Sequence, residues 1–220
     1  MNTDSQTVSQ TPIVGASATP VNWTALGKTT SVKDQGSCGS CYSFSAVAAI
    51  ESAYLIQKNL SLSLSPQQIV DCSGNSGNYG CDGGWPSNSF VYVINNNITT
   101  EALYPYTASA GKCQGNGGKY RISSYKSPYS CTGLINEIAK RPLVVEVDAT
   151  NWYLYSNGVF NSCSSTVSIN HGVTLAGVDA NANWWIKNSW GIYWGRNGYI
   201  LLAAGNTCGI CKYPGYSPYL

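Results

Sequence analysis

Apolar positions along this chain follow two textures. The run Ser43-Phe44-Ser45-Ala46-Val47-Ala48-Ala49-Ile50-Glu51-Ser52-Ala53-Tyr54-Leu55-Ile56 is alanine-rich and holds no proline or glycine. It predicts one long helix from about Ser40 to Lys58, ended by Asn59. Ser65-Pro66 places a serine at an N-cap and a proline at the first helical position, so a short helix follows. Pro86 starts a third helix within Trp85 to Asn95, and Leu134, Ile135 and Ile138 mark a short fourth between Cys131 and Lys140. From about Arg121 the texture becomes β-branched. Leu143 to Val147, Val173 to Val178, Trp184 to Lys187 and Gly198 to Leu202 read as strands. Helices first and strands second predict an α+β chain of two lobes. The helical lobe is placed at 18–124 and the β-rich lobe at 125–220, with the chain ends free to cross over.

Composition narrows the class. The chain has 220 residues, enough to bury a real core. Its net charge is +2, which gives no reason to expect nucleic acid or a membrane surface as partner. No apolar run reaches the ~18 residues of a spanning helix. Asn2-Thr3-Asp4-Ser5-Gln6-Thr7 has neither the basic nor the apolar region of a signal peptide. Residues 1–17 therefore read as a propeptide remnant or a tag-like tail. Asn22-Trp23-Thr24, Asn59-Leu60-Ser61 and Asn97-Ile98-Thr99 are glycosylation sequons.

The chemistry concentrates at Gln35-Gly36-Ser37-Cys38-Gly39-Ser40-Cys41-Tyr42. A polar, glycine-rich loop runs into the long helix, with Ser40 as N-cap and Cys41 in the first turn. A helix N-terminus carries roughly half a positive charge, which favours thiolate over thiol. A cysteine nucleophile needs an imidazole partner, and the chain has one histidine, His171. His171 opens a β-branched stretch, so Cys41 and His171 start in different lobes and meet only across the cleft between them.

These residues identify the chain as resembling the papain superfamily of cysteine peptidases, closest in texture to its cathepsin-L-like branch. Cys38-Gly39-Ser40-Cys41-Tyr42 matches the nucleophile signature, with His171 lying 130 residues and Asn188 147 residues after Cys41. Lys187-Asn188-Ser189-Trp190-Gly191 resembles the family's asparagine motif, and Cys81-Asp82-Gly83-Gly84-Trp85-Pro86 its glycine-rich cleft wall. The likeness runs from about Pro20 to the C-terminus. Tyr42 departs from it, because tryptophan is usual there.

The resemblance implies a two-lobed papain-like fold, with a helical left lobe and a β-barrel-like right lobe. It implies a cysteine endopeptidase working through a thioester acyl-enzyme. Cys41 is then the thiolate nucleophile, resting as an ion pair with His171, the general acid and base. Asn188 orients His171, Trp190 shields that bond from water, and Gln35 supplies an oxyanion donor beside the Cys41 amide. Gly83 and Gly84 offer backbone to an extended polypeptide substrate, flanked by Asn170 and Trp190. The walls of the pocket for the second residue before the cut (P2) include Trp85, Pro86, Glu146 and Ile169, with Tyr213 at the far end. The family usually carries a small apolar residue where Glu146 stands. Glu146 either accepts an Arg or Lys at P2, or bonds Tyr213 or is protonated by burial and leaves the pocket apolar.

Nine cysteines leave eight once Cys41 is set aside, and eight allow about a hundred connectivities. The resemblance implies Cys38–Cys81, Cys72–Cys113 and Cys163–Cys208. Cys131 and Cys211 remain, as a fourth bridge or as two free buried thiols; Cys208 and Cys211 exchanged is a further alternative. Cys208-x-x-Cys211 and Cys38-x-x-Cys41 have zinc-ligand spacing, but the one histidine already sits in the catalytic motif, so no metal and no cofactor are expected. Disulfides imply an oxidising route, lysosomal, vacuolar or secreted. The implied partners are the peptide substrate, the chain's own prodomain and cystatin-like inhibitors, with the enzyme a monomer. A dicarboxypeptidase of this family needs a second histidine, which is absent. A non-catalytic or silica-depositing relative would carry a substituted nucleophile, and Cys41 is present.

Overall fold

In a computed structural model that describes residues 19–115 and 117–220, helix α1 (Cys41–Gln57) runs through the middle of the first lobe. Nearly every side of it is covered, from Tyr42 through Ala53. This explains its alanines, since a helix buried all round has no polar stripe. Its inward serines are satisfied locally: Ser43 Oγ donates to the Pro66 carbonyl at 2.7 Å and Ser45 Oγ to that of Cys41 at 2.8 Å. Helix α2 (Pro66–Cys72) is capped by Ser65 Oγ, which accepts from the Gln68 amide at 3.0 Å. Helix α3 (Pro86–Asn96) completes the lobe, and Ile50, Leu64, Ile69, Phe90 and Val93 form its core.

The second lobe is a six-stranded sheet built on β5 (His171–Val178). One edge of β5 pairs antiparallel with β6 (Trp184–Lys187), then β7 (Tyr199–Leu202), with β4 (Val159–Phe160) parallel at the far side. The other edge is shared. β3 (Leu143–Val147) pairs with 171–175, and β1 (Val21–Asn22) with 177–178. A Cβ on Gly177 would lie 2.4 Å from the Val21 carbonyl, so only glycine lets β1 in. Helix α4 (Ser130–Ile138) packs on this sheet through Leu134 and Ile138.

Strand β3 is the hinge between the two cores. Leu143, Val145 and Val147 enter the sheet core beside Trp184 and Ile186, while Val144 packs into the helical core on the opposite face. Both chain ends cross the divide. β1 belongs to the second lobe's sheet, whereas β8 (Ser217–Tyr219) pairs with β2 (Ser124–Lys126), and Tyr125, Tyr216 and Leu220 cover the helical core. A cut at 124/125 therefore separates the chain but not the packing. The tail expected at 1–17 lies outside the described residues.

Two local readings need correction. Ser40 occupies the N-cap position of α1, but its hydroxyl does not cap; it bonds the Tyr106 hydroxyl at 2.7 Å instead. The strand expected from Val173 begins at His171, two residues early, because β3 pairs Val147 with His171. Four disulfides are present: Cys38–Cys81, Cys72–Cys113, Cys131–Cys211 and Cys163–Cys208, and Cys41 is the free cysteine among the described residues. Asn22 and Asn59 are exposed, whereas Asn97 is half-buried with Nδ2 donating to the Gly118 carbonyl. Iodoacetamide on the native oxidised protein should label Cys41 alone. Peptide mapping checks this, and label on Cys131 or Cys211 would contradict the fourth bridge.

Candidate active site

The site begins where the loop before α1 is pinned to the wall opposite. The Cys38–Cys81 bond joins them covalently. Beside it the Gly39 amide donates to the Cys81 carbonyl at 3.0 Å, and a Cβ on Gly39 would fall 2.5 Å from that oxygen. Tyr42 adds a third link. It is fully buried, and its hydroxyl donates to the Gly80 carbonyl at 2.8 Å, a bond its phenol supplies where the family usually has tryptophan. The wall itself turns through Gly83, whose φ of +108° favours glycine. No heavy atom lies within 4 Å of a Cβ placed there, which leaves its backbone open to a ligand.

From the other lobe, His171 stands at the first position of β5. Its Nε2 lies 2.7 Å from Asn188 Oδ1, which also accepts the Ser189 amide at 2.8 Å. An accepting Oδ1 puts the ring proton on Nε2 and leaves Nδ1 as the basic nitrogen. The Trp190 ring lies over His171 with centroids 5.0 Å apart, and Trp152 meets the imidazole at 6.2 Å. Trp194 packs on both tryptophans. The three indole rings form an aromatic wall beside the His171–Asn188 bond.

Gln35 is buried and held at both ends of its amide. Nε2 donates to the Cys38 carbonyl at 3.0 Å, and Oε1 accepts from Ser189 Oγ at 2.7 Å. Its backbone carbonyl accepts from the Tyr106 hydroxyl at 2.7 Å. One hydrogen of Nε2 remains uncommitted by these bonds. Ser189, directly after Asn188, thus ties the amide of one lobe to the histidine system of the other.

Burial dominates the electrostatics. It pushes the Cys41 thiol up, against the hydrogen bonds from the Gly172 and Tyr42 backbone, with the Glu146 carboxylate adding to the rise. It pulls His171 down to about 4, against the Asn188 bond, which favours the charged ring. The resting ion pair expected from the helix dipole is therefore not favoured by either group alone. Desolvation opposes both charges, and the backbone donors at Cys41 and the Asn188 bond at His171 offset only part of it.

A groove of about 320 Å³ runs between the lobes. Cys41, Gly83, Gly84, Trp85, Pro86, Glu146, Ile169, Asn170 and His171 all line it. Tyr213 stands outside this lining but faces Trp85 ring to ring, 6.5 Å apart. Asn170 is held by two bonds, Oδ1 accepting from the Ala149 amide and Nδ2 donating to Thr150 Oγ1. Gln35, Asn188 and Trp190 are not among the residues that line it. Three contributors escaped the sequence reading. Trp152 carries no local signal. Ser189 is marked only by its place after Asn188. Gly172 was legible as a glycine inside a β-branched strand, a sign of close approach.

The comparisons agree with this geometry. The model of the papain family cysteine proteases matches residues 18–217. Cathepsin L 1 of Paramecium tetraurelia is 44% identical over 200 residues, covering 89% of this chain and 63% of that protein. Cathepsin S of Bos taurus is 41% identical over 210 residues, with the same coverage. The chain thus spans about 63% of the length of these curated relatives. Digestive procathepsin L 3 of Tenebrio molitor superposes with a TM-score of 0.87 at 35% identity, over 96% of this chain and 72% of that one. The bromelain protease of Ananas comosus, solved with the E64 inhibitor, gives 0.83 at 38% identity over 91% and 98%. The chain belongs to the papain family of cysteine proteases, on its cathepsin-L-like branch.

Proposed function

We propose that this protein is a cysteine endopeptidase that cuts extended polypeptides through a thioester acyl-enzyme. The observation that carries the reading is the juxtaposition, in one groove, of the free thiol at the head of α1 and a histidine whose far nitrogen is held by Asn188. The substrate lies extended along Gly83 and Gly84, with backbone pairing to the open wall.

The mechanism follows from which nitrogen is basic. Nδ1 of His171 takes the Cys41 proton, creating thiolate and imidazolium together. Sγ attacks the peptide carbonyl, and the oxyanion is met by the Cys41 amide and the free Nε2 hydrogen of Gln35. The imidazolium then gives its proton to the leaving amine as the C–N bond breaks, and a thioester remains. Water, deprotonated by the same nitrogen, attacks the thioester and returns the thiol. Asn188 keeps the ring in register through both proton transfers, and Trp190 keeps competing water out.

Four disulfides support an oxidising setting for the working protein, lysosomal, vacuolar or secreted. An open groove of this kind also suits a self-derived prodomain or a cystatin-like inhibitor, each occupying it without being cut. Among the described residues no helix is long and apolar enough to cross a membrane.

The test is labelling by a peptidyl epoxide under mildly reducing conditions, with turnover of fluorogenic peptides. Cys41 should be modified and turnover lost in proportion. An unlabelled Cys41 in folded protein would sink the assignment. Among variants, His171→Ala should abolish turnover. Asn188→Ala should cost less, because Asn188 orients the base and carries no proton. Gln35→Ala should lower kcat by about 10²–10³. Unaltered kcat in that last variant would remove Gln35 from the oxyanion site.

A further inference from the structure

One carboxyl in the groove has an oxygen without a partner. Glu146 is 4% exposed, and its Oε1 is buried without a hydrogen bond. Neither bonding to Tyr213 nor pairing with a cation relieves it. The ion pairs among the described residues join Lys33, Glu51, Glu101, Glu137 and Lys140, all elsewhere. Lys212, the cation next to Tyr213, reaches the Val167 carbonyl and acts on Asp148 instead. A buried, unpaired carboxylate is one of the costliest groups a fold can hold.

Its position is set by the alternation of β3. Val145 and Val147 turn into the sheet core, so Glu146 turns the other way, into the groove that Cys41 and Ile169 line. Its register partner on β5 is Gly172, which adds no side chain to cover it.

We infer that Glu146 reads the P2 side chain, pairing its carboxylate with a lysine or arginine that the substrate brings into the groove. This rests on the peptidase reading above and names its substrate class. A P2 cation supplies the one group the pocket lacks. It also acts on the chemistry. The Glu146 charge raises the Cys41 thiol, so neutralising it favours the thiolate that attacks. A P2 leucine offers no such relief, and the pocket accepts it best when Glu146 carries a proton. Desolvation raises this carboxyl to about 7. The sign follows: below that range Glu146 is neutral and the pocket is apolar, and above it the pocket is anionic. The groups facing Glu146 are Cys41 at the head of α1, His171 on β5, Tyr216 ahead of β8, and Tyr79 and Asp82 on the glycine-rich wall. Burial pushes the Tyr216 hydroxyl upward, away from neutral pH. Two substrates that differ only at P2 share the ionisations of the reacting groups, so these cancel in the ratio of their rates, and the comparison with Glu146→Gln assigns what remains.

The experiment measures kcat/KM at pH 5 and pH 8 for peptides with Arg or Leu at P2 and an identical P1 and reporter. Wild type is compared with Glu146→Gln, each counted by epoxide titration of Cys41. In wild type the Arg-to-Leu ratio should rise about tenfold or more from pH 5 to pH 8. In Glu146→Gln the ratio should be flat with pH, with P2 Arg cleavage at pH 8 reduced by a similar factor. Equal ratios in the two proteins at pH 8, or a wild-type ratio independent of pH, would overturn the inference while P2 Leu cleavage leaves the peptidase reading standing. Failure to cleave either peptide, with Cys41 unlabelled, would remove both. Should Glu146→Gln not fold, the wild-type pH arm decides alone.

Discussion

The site depends on one close approach, where β5 passes the head of α1. A Cβ on Gly172 would lie 3.2 Å from Ser45 Oγ and 3.3 Å from Pro86 Cγ, and 3.7 Å from the backbone of Cys41 itself. Thr174, two residues on, donates its hydroxyl to the Ser45 carbonyl at 3.2 Å. The strand that starts with His171 is thus laid directly on the helix that starts with Cys41. Cys41 and His171 come from different lobes, and this contact brings them to one groove. Reacting groups must be placed to within a fraction of an ångström, and a 1 Å error costs about 10² in rate. A glycine at 172 is what allows that placement.

Behind this contact the lobes are held by buried charge. Glu51 on α1 accepts the Leu64 amide at 2.8 Å and pairs with Lys33 at 3.2 Å, and it also bonds Thr30. Lys187, at the end of β6 and next to Asn188, donates to the Thr30 carbonyl at 2.8 Å. Burial lowers Lys187 to about 8, with Glu51 acting to raise it. The helix that begins with Cys41 and the strand that leads into Asn188 therefore share one polar cluster. Removing a member leaves an uncompensated buried charge, which destabilises more than the intact cluster stabilises. The same logic separates Glu146 from Glu51. Both are buried acids, but Glu51 is saturated with donors and Glu146 has an oxygen with none.

Much of this was legible in the chain. The alanine-rich run gave away α1 because a central helix needs small side chains on every face. Alternation in Leu143 to Val147 turns Glu146 away from the sheet core, on the face it shares with Val144. Motif spacing singled out Cys41, His171 and Asn188. What stayed hidden was non-local. Ser40 has the chemistry of a cap, but Tyr106, 66 residues away, takes its hydroxyl. The two-residue strand β1 carries too little pattern to announce that it completes the edge of β5. Trp152 shelters His171 through a fold that only the assembled sheet creates. Dipole reasoning favoured a thiolate at Cys41, and burial, invisible in sequence, opposes it.

The central claim is that Cys41 and His171 ionise as one unit whose spacing Gly172 sets. The pH dependence of Cys41 alkylation by iodoacetamide tests it most directly, in wild type and in Gly172→Ala, with circular dichroism to verify the fold. If the claim holds, the wild-type thiol reacts well below the ordinary thiol range of about 8.5, because proton transfer to His171 supplies the thiolate. In Gly172→Ala the added methyl presses on Ser45 and Pro86 at 3.2 and 3.3 Å and shifts the strand from the helix head, and the reactive limb moves up toward that ordinary value. Superimposable profiles from two folded proteins would contradict the account.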